Sequence, residues 1–337
     1  MNIFDDMIPM SVQTTEGDVN INDISIGDTV YSYDSKKELE VMEIVDLTKE
    51  DVYKVTYTDG REDYYQESEL IYIGYGVIPI KSLIDDRRHG MHGSIKQYQI
   101  SYGTSYNPHV RRSDPYISGA LCIYGNAKDE FINLPSDCTA ANSFFINKYQ
   151  AFYEWKIGSN ATYFSRNGDI NNKLISWKDF FHNKTCHDII KEYKRASIND
   201  RWEFIRGVFD IGYKSEAFPD SCSIAHSDED KLKIVQEILW SLGVLSKTDY
   251  DPSLQLGKGR EYRLDILSPS FDNYPGFFYN IDSIERMIRN QSRLLNPKFK
   301  LQIGKIEKYN SAFSRRLIFN QRNSVYLTSN FLPRVGM

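Results

Sequence analysis

Apolar and polar positions alternate in short runs over the first part of the chain, and the breaks fall at glycine. VQTTEGDVNINDISIGDTVYSYD (12–34) is interrupted at Gly17-Asp18 and Gly27-Asp28. VYKVTYTDGRED (52–63) alternates from Val52 to Tyr57 and turns at Asp59-Gly60, a pair that favours a tight hairpin. GVIPIKSLI (76–84) predicts a further short strand or a strand-to-turn segment. Residues 85–113, rich in Gly, His and Arg, predict a connecting loop.

The pattern then becomes helical. SDPYISGALCIYG (113–125) offers Ser113 and Asp114 as caps, Pro115 at a first helical position and Gly125 as a stop. EFINL (130–134) reads as a strand ended by Pro135, Ser136 and Asp137, and Thr139 to Tyr153 as a helix. RWEFIRGVFDIGY (201–213) predicts a second apolar helix that stops at a glycine, and SCSIAHS (221–227) a short strand. In DEDKLKIVQEILWSLGV (228–244), Leu232, Val235, Ile238, Leu239 and Leu242 share one helical face, closed by Gly243. YRLDILS (262–268) is a further strand, and the tail returns to β-like text in KFKLQIGKI, RRLIFNQ and NSVYLTSNFLP. The order apolar helix, glycine stop, strand, amphipathic helix therefore occurs twice, with Gly119 and Gly207 in equivalent places. Such doubling predicts two half-domains packed about a pseudo-twofold axis.

Composition narrows the class. A chain of 337 residues with 41% hydrophobic and 14% aromatic positions supports two or three cored domains, without a low-complexity tract. MNIFDDMIPM lacks the basic and apolar regions of a signal peptide, and no run of about 18 apolar residues suggests a membrane span. Cys122, Cys138, Cys186 and Cys222 lie far apart with no CxxC, which reads as free thiols in a reducing, intracellular compartment. Cys186-His187 lacks distant partners for a metal, and His89, His92 and His109 read as solvent-facing loop residues. The net charge of −5 hides a polarity: residues 1–75 sum to −13 and residues 286–337 to +10. Either the basic end meets a polyanion, or the two ends neutralise each other inside one β-domain.

ISGALCIYG (117–125) and IRGVFDIGY (205–213) resemble the paired signature helices of LAGLIDADG homing endonucleases, with FIRGVFD, a strand and KLKIVQEILWSLGV carrying most of the likeness. TTEGDVNINDISIGDTVYSYD, VYKVTYTDGR and NSVYLTSNFLP resemble strands of the Hint fold of inteins, and they bracket the endonuclease-like segment. The resemblance implies an α+β chain: a discontinuous, all-β Hint-like domain from 1–84 and 298–337, a connecting loop at 85–112, and a pseudo-twofold αββαββα-repeat module at 113–297. Gly119 and Gly207 would mark the helix interface.

Splicing in such a fold needs a first-residue nucleophile, a Thr/His pair and a terminal His-Asn. Phe4, Asp5 and Asp6 stand near the first station, YYQESEL (64–70) at the second and FLPRVGM at the third, and Ser11 reads as a strand residue. Splicing is therefore not expected. Cleavage would need one carboxylate at the foot of each signature helix to hold Mg²⁺. The motif places Tyr124 and Gly212 there, with Asp210 two residues earlier and Asp129 and Glu130 beginning the next strand. The implied function is double-stranded DNA binding with weak or no cutting, by a monomeric scaffold with no metal or cofactor of its own. DNA contacts would come from Arg87, Arg88, Lys96, Arg111, Arg112, Lys214, Arg260, Arg263 and the stretch YFSRNGDINNK (163–173), helped by Tyr98, Tyr102 and Tyr106. Two alternatives remain open: an active Mg²⁺-dependent endonuclease with Asp210 as a ligand, and a non-enzymatic structural or protein-interaction role.

Overall fold

The computed structural model describes residues 7–33, 37–74, 76–84, 95, 97, 114–124, 131–135, 153–157, 161–166, 173–212, 223–251, 261–268, 301–321 and 324–336. The chain divides into two bodies, Met1–Asn107 with Pro297–Met337, and Pro108–Asn296. In the first body the chain runs through β1 (Ser11–Gln13), β2 (Asp18–Asn20), β3 (Thr29–Tyr31), β4 (Glu38–Tyr57), β5 (Glu62–Gln66), β6 (Leu70–Tyr72), β7 (Val77–Pro79) and a short α1 (Lys81–Ile84). Its C-terminal part supplies β14 (Ile303–Phe319), β15 (Val325–Leu327) and β16 (Pro333–Val335), counted after the strands of the second body.

The feature that joins the two ends is a ladder between β4, of 20 residues, and β14, of 17. The antiparallel register runs from Ile303 opposite Tyr57, through Ser311 opposite Asp51, to Phe319 opposite Val41. Strand β3 pairs the start of β4 and β5 pairs its end, where Gly60 adopts φ +87° at the predicted hairpin turn. A second sheet has the order β15-β16-β6-β7. Inward positions alternate along these strands, so Val12, Val30, Val41, Val52, Leu317 and Tyr326 meet in one core.

That ladder settles where the opposed charges go. Asp46 lies opposite Arg315 and bonds it at 2.7 Å, and Asp51 pairs with Lys308. Arg334, almost fully buried, bonds Glu69 at 2.7 Å and Asp63 at 3.3 Å while lying over the Tyr65 ring at 4.6 Å. Arg61 is buried against Asp59 at 2.8 Å and donates to the carbonyls of Asn330 and Phe331. Burial pushes the Asp63 carboxyl above its usual range, and the Arg334 guanidinium pulls it back. Removing one member of such a buried group costs about 3–5 kcal/mol, because the other charge is left unpaired. Of the two readings of the C-terminal cations, mutual neutralisation within one body holds for Lys305, Lys308, Arg315 and Arg334, which all bond acids of the same body. Arg286, Arg289, Arg293, Lys298, Lys300 and Arg322 lie outside the described residues.

The second body contains α2 (Pro115–Tyr124), β8 (Asn133–Pro135), β9 (Tyr153–Ile157), β10 (Ala161–Arg166), α3 (Trp177–Phe181), α4 (Cys186–Lys194) and α5 (Ile198–Gly212). These are followed by β11 (Ser223–His226), α6 (Glu229–Ser241), β12 (Leu245–Asp251) and β13 (Glu261–Ser268). Its two three-stranded antiparallel sheets share one strand order, β8-β10-β9 and β11-β13-β12. In the second half a helix, α6, separates β11 from the β12–β13 pair, so the described elements read α, β, α, β, β: the order helix, strand, amphipathic helix read in the sequence is present, and the αββαββα repeat is not matched there. The cause is local: Asp228 caps α6 by accepting from the Lys231 amide at 3.2 Å, and Gly243, at φ +76°, ends it. Tyr153, expected to end a helix, opens β9 opposite Arg166, and residues 136–152 lie outside the described set. Pro115 is the first residue of α2, and Asp114 accepts from the Ile117 amide at 3.1 Å, as the capping pattern predicts. Arg201, fully buried on α5, donates to Ala196 O at 3.1 Å and to Ser241 O at 3.0 Å, satisfying carbonyls at the ends of α4 and α6.

Candidate functional site

Helices α2 and α5 meet at their glycines, and the contact is reciprocal. A Cβ built on Gly119 would lie 2.1 Å from Phe204 O and 3.1 Å from Val208 N. One on Gly207 would lie 1.9 Å from Tyr116 O and 3.0 Å from Ala120 N. Residues 116, 119 and 120 of one helix thus correspond to 204, 207 and 208 of the other at one constant offset, which is the signature of a local twofold relation. Only residues without a side chain allow backbones this close. Around the crossing, Ile117, Leu121, Ile205, Val208 and Phe209 are buried in a core shared with α4 and α6.

The same offset relates Tyr124 to Gly212, at the C-terminal foot of each helix. Neither side chain type offers a carboxylate. Asp210, two residues before the second foot, is buried and accepts a hydrogen bond from the Tyr116 hydroxyl at 2.9 Å. Asp129 and Glu130 lie outside the described residues, among which no cluster of three His, Cys, Asp or Glu side chains forms a metal site.

The foot of α2 is instead closed by groups from the second half. Lys231 Nζ donates to Cys122 O at 2.9 Å, and His226 Nε2 lies 3.0 Å from Ile123 O. His226 Nδ1 accepts from the Asp228 amide at 2.8 Å, so the ring proton sits on Nε2 and is given to Ile123 O. Burial, first, and the Lys231 charge hold this histidine below its ordinary pKa, in the neutral form this arrangement needs. Two carbonyls that a helix end leaves open are satisfied in this way.

Of the residues expected to contact DNA, Arg263, Tyr163 to Arg166 and Lys173 are described. Arg263 sits on β13 and forks between Asp251 at 2.7 Å and Asp265 at 2.8 Å, while Lys247 bonds Asp249 at 2.7 Å on β12. On the opposite face of β12, Ser246 and Thr248 bond Gln236 of α6. Among the described residues, Lys247 and Arg263 on this sheet are therefore already matched by acids. Tyr163 to Arg166 lie in β10, whereas Arg87, Arg88, Lys96, Tyr98, Tyr102, Tyr106, Arg111, Arg112, Lys214 and Arg260 lie outside the described residues, as do His89, His92 and His109.

No protein-family model matches this chain, and no curated protein does. Solved structures do. The chain is similar to inteins and to a homing endonuclease. The gp41-1 intein is 31% identical over 22% of this chain, which spans 57% of that intein's length, with a TM-score of 0.21. The Msm DnaB1 intein splicing domain bound with zinc is 18% identical over 23% of this chain and 61% of its own, with a TM-score of 0.21. I-DmoI in complex with DNA and Ca is 15% identical over 45% of this chain and 81% of its own, with a TM-score of 0.29.

Two arrangements had no signal in the sequence reading. The Lys231–His226 closure of α2 joins residues more than a hundred positions apart, and His226 reads there only as a polar residue in a strand. The second is a pair of buried thiols in one core, Cys122, at the place that corresponds to Asp210, and Cys186. Both are free cysteines, and Cys138 and Cys222 lie outside the described residues. Among the described residues no helix is long and apolar enough to cross a membrane.

Proposed function

We propose that the second body is a homing-endonuclease-like scaffold that binds double-stranded DNA without cutting it, carried within an intein-like β-body that does not splice. On this reading residues 1–84 and 298–337 are the Hint-like part, 85–112 the connection and 113–297 the LAGLIDADG-like part. The reciprocal glycine crossing carries the assignment, since twin helices in backbone contact are what the motif resemblance requires. The same crossing supports a register with Tyr124 and Gly212 at the feet. A tyrosine and a glycine give a hard cation no carboxylate, and Asp210 is held by Tyr116 inside the interface. Mg²⁺ would matter only to a cutting enzyme.

The splicing stations support the same view. Where the intein resemblance calls for a Thr/His pair, the chain has Gln66 and Glu69. Gln66 donates to Thr48 O and Ala312 O, both at 2.7 Å, and Glu69 is clamped by Arg334. Both side chains are buried and tied to their own body.

A gel-shift titration of the full chain on a library of random duplexes, across salt concentrations, tests binding, and the same duplexes incubated with Mg²⁺ test nicking. The expected result is a salt-sensitive shift without nicks. Mg²⁺-dependent nicks that vanish in Asp210→Asn would overturn the non-cutting assignment.

A second reading, a non-enzymatic protein-interaction role, is favoured by one observation: the self-matched charges on the outward face of β12 and β13. No shift on any duplex at low salt, with a stable protein complex in its place, selects it.

A further inference from the structure

We propose that the polar closure at the foot of α2 is an acid-opened latch, which ties the end of α2 to the start of α6 and releases it when His226 takes up a second proton. The latch joins the two halves of the second body, since α2 belongs to the first and β11 and α6 to the second. His226 Nε2 holds the Ile123 carbonyl at 3.0 Å, and His226 Nδ1 accepts from the Asp228 amide at 2.8 Å. Lys231 Nζ holds the Cys122 carbonyl at 2.9 Å. Asp228 connects the two ties, because its side chain caps α6 by accepting from the Lys231 amide at 3.2 Å.

The two sheets give this arrangement a built-in control. Their registers correspond: Tyr163 lies opposite Asn133 and Lys156 as Arg263 lies opposite Ala225 and Asp249. Phe164 then matches Leu264 and Ile132 matches Ile224, and all four are buried. One step along the same ladders, Leu134 opposite Thr162 takes the place of His226 opposite Tyr262. Leu134 is fully buried and can neither bond a carbonyl nor gain a proton. The twin helices share one crossing, but only α2 has a titrating ring at this register position.

The charged and titratable groups about the ring are Lys231 and Asp228 of α6, Cys122 of α2 and Tyr262 of β13, opposite His226 in the ladder. From α4 comes His187, next to Cys186 in the chain, with Nε2 3.7 Å from Asp228 Oδ2. Burial and then the Lys231 charge oppose a second proton on His226, against the pull of the Ile123 carbonyl and Asp228. The decisive change is at Nδ1. A protonated ring carries a donor there, it meets the Asp228 amide, itself a donor, and the 2.8 Å bond is lost. The start of α6 then shifts, and Lys231, three residues on, loosens its hold on the Cys122 carbonyl. A proton on His187 draws the same Asp228 carboxylate away from its cap and adds to the opening.

The test is hydrogen–deuterium exchange on the full chain from about pH 8 to about pH 5.5, with each rate corrected for the intrinsic effect of pH on exchange. Protection of the last turn of α2 should fall as the pH drops below the ordinary histidine value of about 6.5, by up to about tenfold one unit lower. Protection of the last turn of α5 should stay level over the same range. In nitrogen spectra of the histidine rings, His226 should be the Nε2–H tautomer at the high end and titrate in step with the loss at α2. His226→Gln keeps a donor for Ile123 O and an acceptor for the Asp228 amide with no proton to gain, and should hold the α2 protection level. No fall at α2, an equal fall at both helix ends, or an undiminished fall in His226→Gln overturns the proposal. An equal fall at both ends would be a global loss of stability, so the comparison within the unsubstituted chain decides even if the variant fails to fold.

Discussion

Gly119 and Gly207 occupy each other's contact: a Cβ on the first would strike Phe204 O at 2.1 Å, and one on the second would strike Tyr116 O at 1.9 Å. Real Cβ atoms essentially never come under 3.0 Å, and the atoms struck are backbone, so neither collision can be relieved by a side-chain rotation. Gly119→Ala or Gly207→Ala must push the helices apart and open the core around Leu121 and Phe209. Each is expected to cost about 3 kcal/mol, the upper end of overpacking penalties, read as a lower urea midpoint. One separation serves both sites. The double variant should therefore lose clearly less than the sum of the singles, and additive losses would mean that the glycines do not share an interface.

The tie between Tyr116 and Asp210 gives a second test. The positions related to these two by the helix offset are Phe204 and Cys122, so the twofold pattern is broken there by one polar pair. Tyr116→Phe removes the hydroxyl from a buried carboxylate and should cost about 2 kcal/mol. Asp210→Asn should cost less, because an amide oxygen still accepts from tyrosine. Neither substitution should alter behaviour towards DNA and Mg²⁺. A double-substitution cycle on urea midpoints measures the coupling, and zero coupling would place the hydroxyl elsewhere.

How much of this was legible beforehand depended on whether the cause was local. The hairpin at Asp59-Gly60, the cap at Asp114-Pro115 and the amphipathic face of α6 follow from neighbouring residues, and the structure has them. The β4–β14 ladder is legible in the sequence only in pieces. VYKVTY and RRLIFNQ alternate visibly, but EIVDLTKED and KYNSAFS join the same strands only because their partners lie opposite across the whole chain. Bulges there shift the register and hide the period from any single segment. At the twin helices, the glycines and their spacing were readable. The fate of Asp210 was not, because it is decided by Tyr116 on the other helix. Arg263 likewise reads as a free cation until Asp251 and Asp265 come beside it.

His226 provides a pH prediction. Its pKa is lowered by burial, so the folded protein binds this proton less readily than the unfolded chain does. The stability it contributes is complete above the unfolded value, about 6.5, and is lost as pH falls through the lower folded value. Protonation also turns Nδ1 into a donor facing the Asp228 amide, which breaks the 2.8 Å bond that sets the tautomer. The urea midpoint should fall on acidification below pH 6.5, and His226→Gln should flatten that fall. Equal slopes in the two proteins would show that this ring does not sense the proton.

Arg263 decides between the two functional readings. Its guanidinium is shared by Asp251 and Asp265, and burial already pushes the Asp265 carboxyl above its usual range, with Arg263 opposing that rise. The side chain is only partly buried, so its charge lies near solvent but is spent on its neighbours. If the β12–β13 face lies against a duplex, Asp251→Asn with Asp265→Asn releases that charge to a phosphate and removes two anions that repel DNA. Affinity at low salt should then rise severalfold, and the slope of log K against log salt should steepen by about 0.9 for each phosphate newly contacted. Adding Arg263→Gln should cancel the steepening while leaving part of the gain from lost repulsion. If the face serves a protein instead, the double variant should leave duplex affinity and its salt slope unchanged and weaken the protein complex.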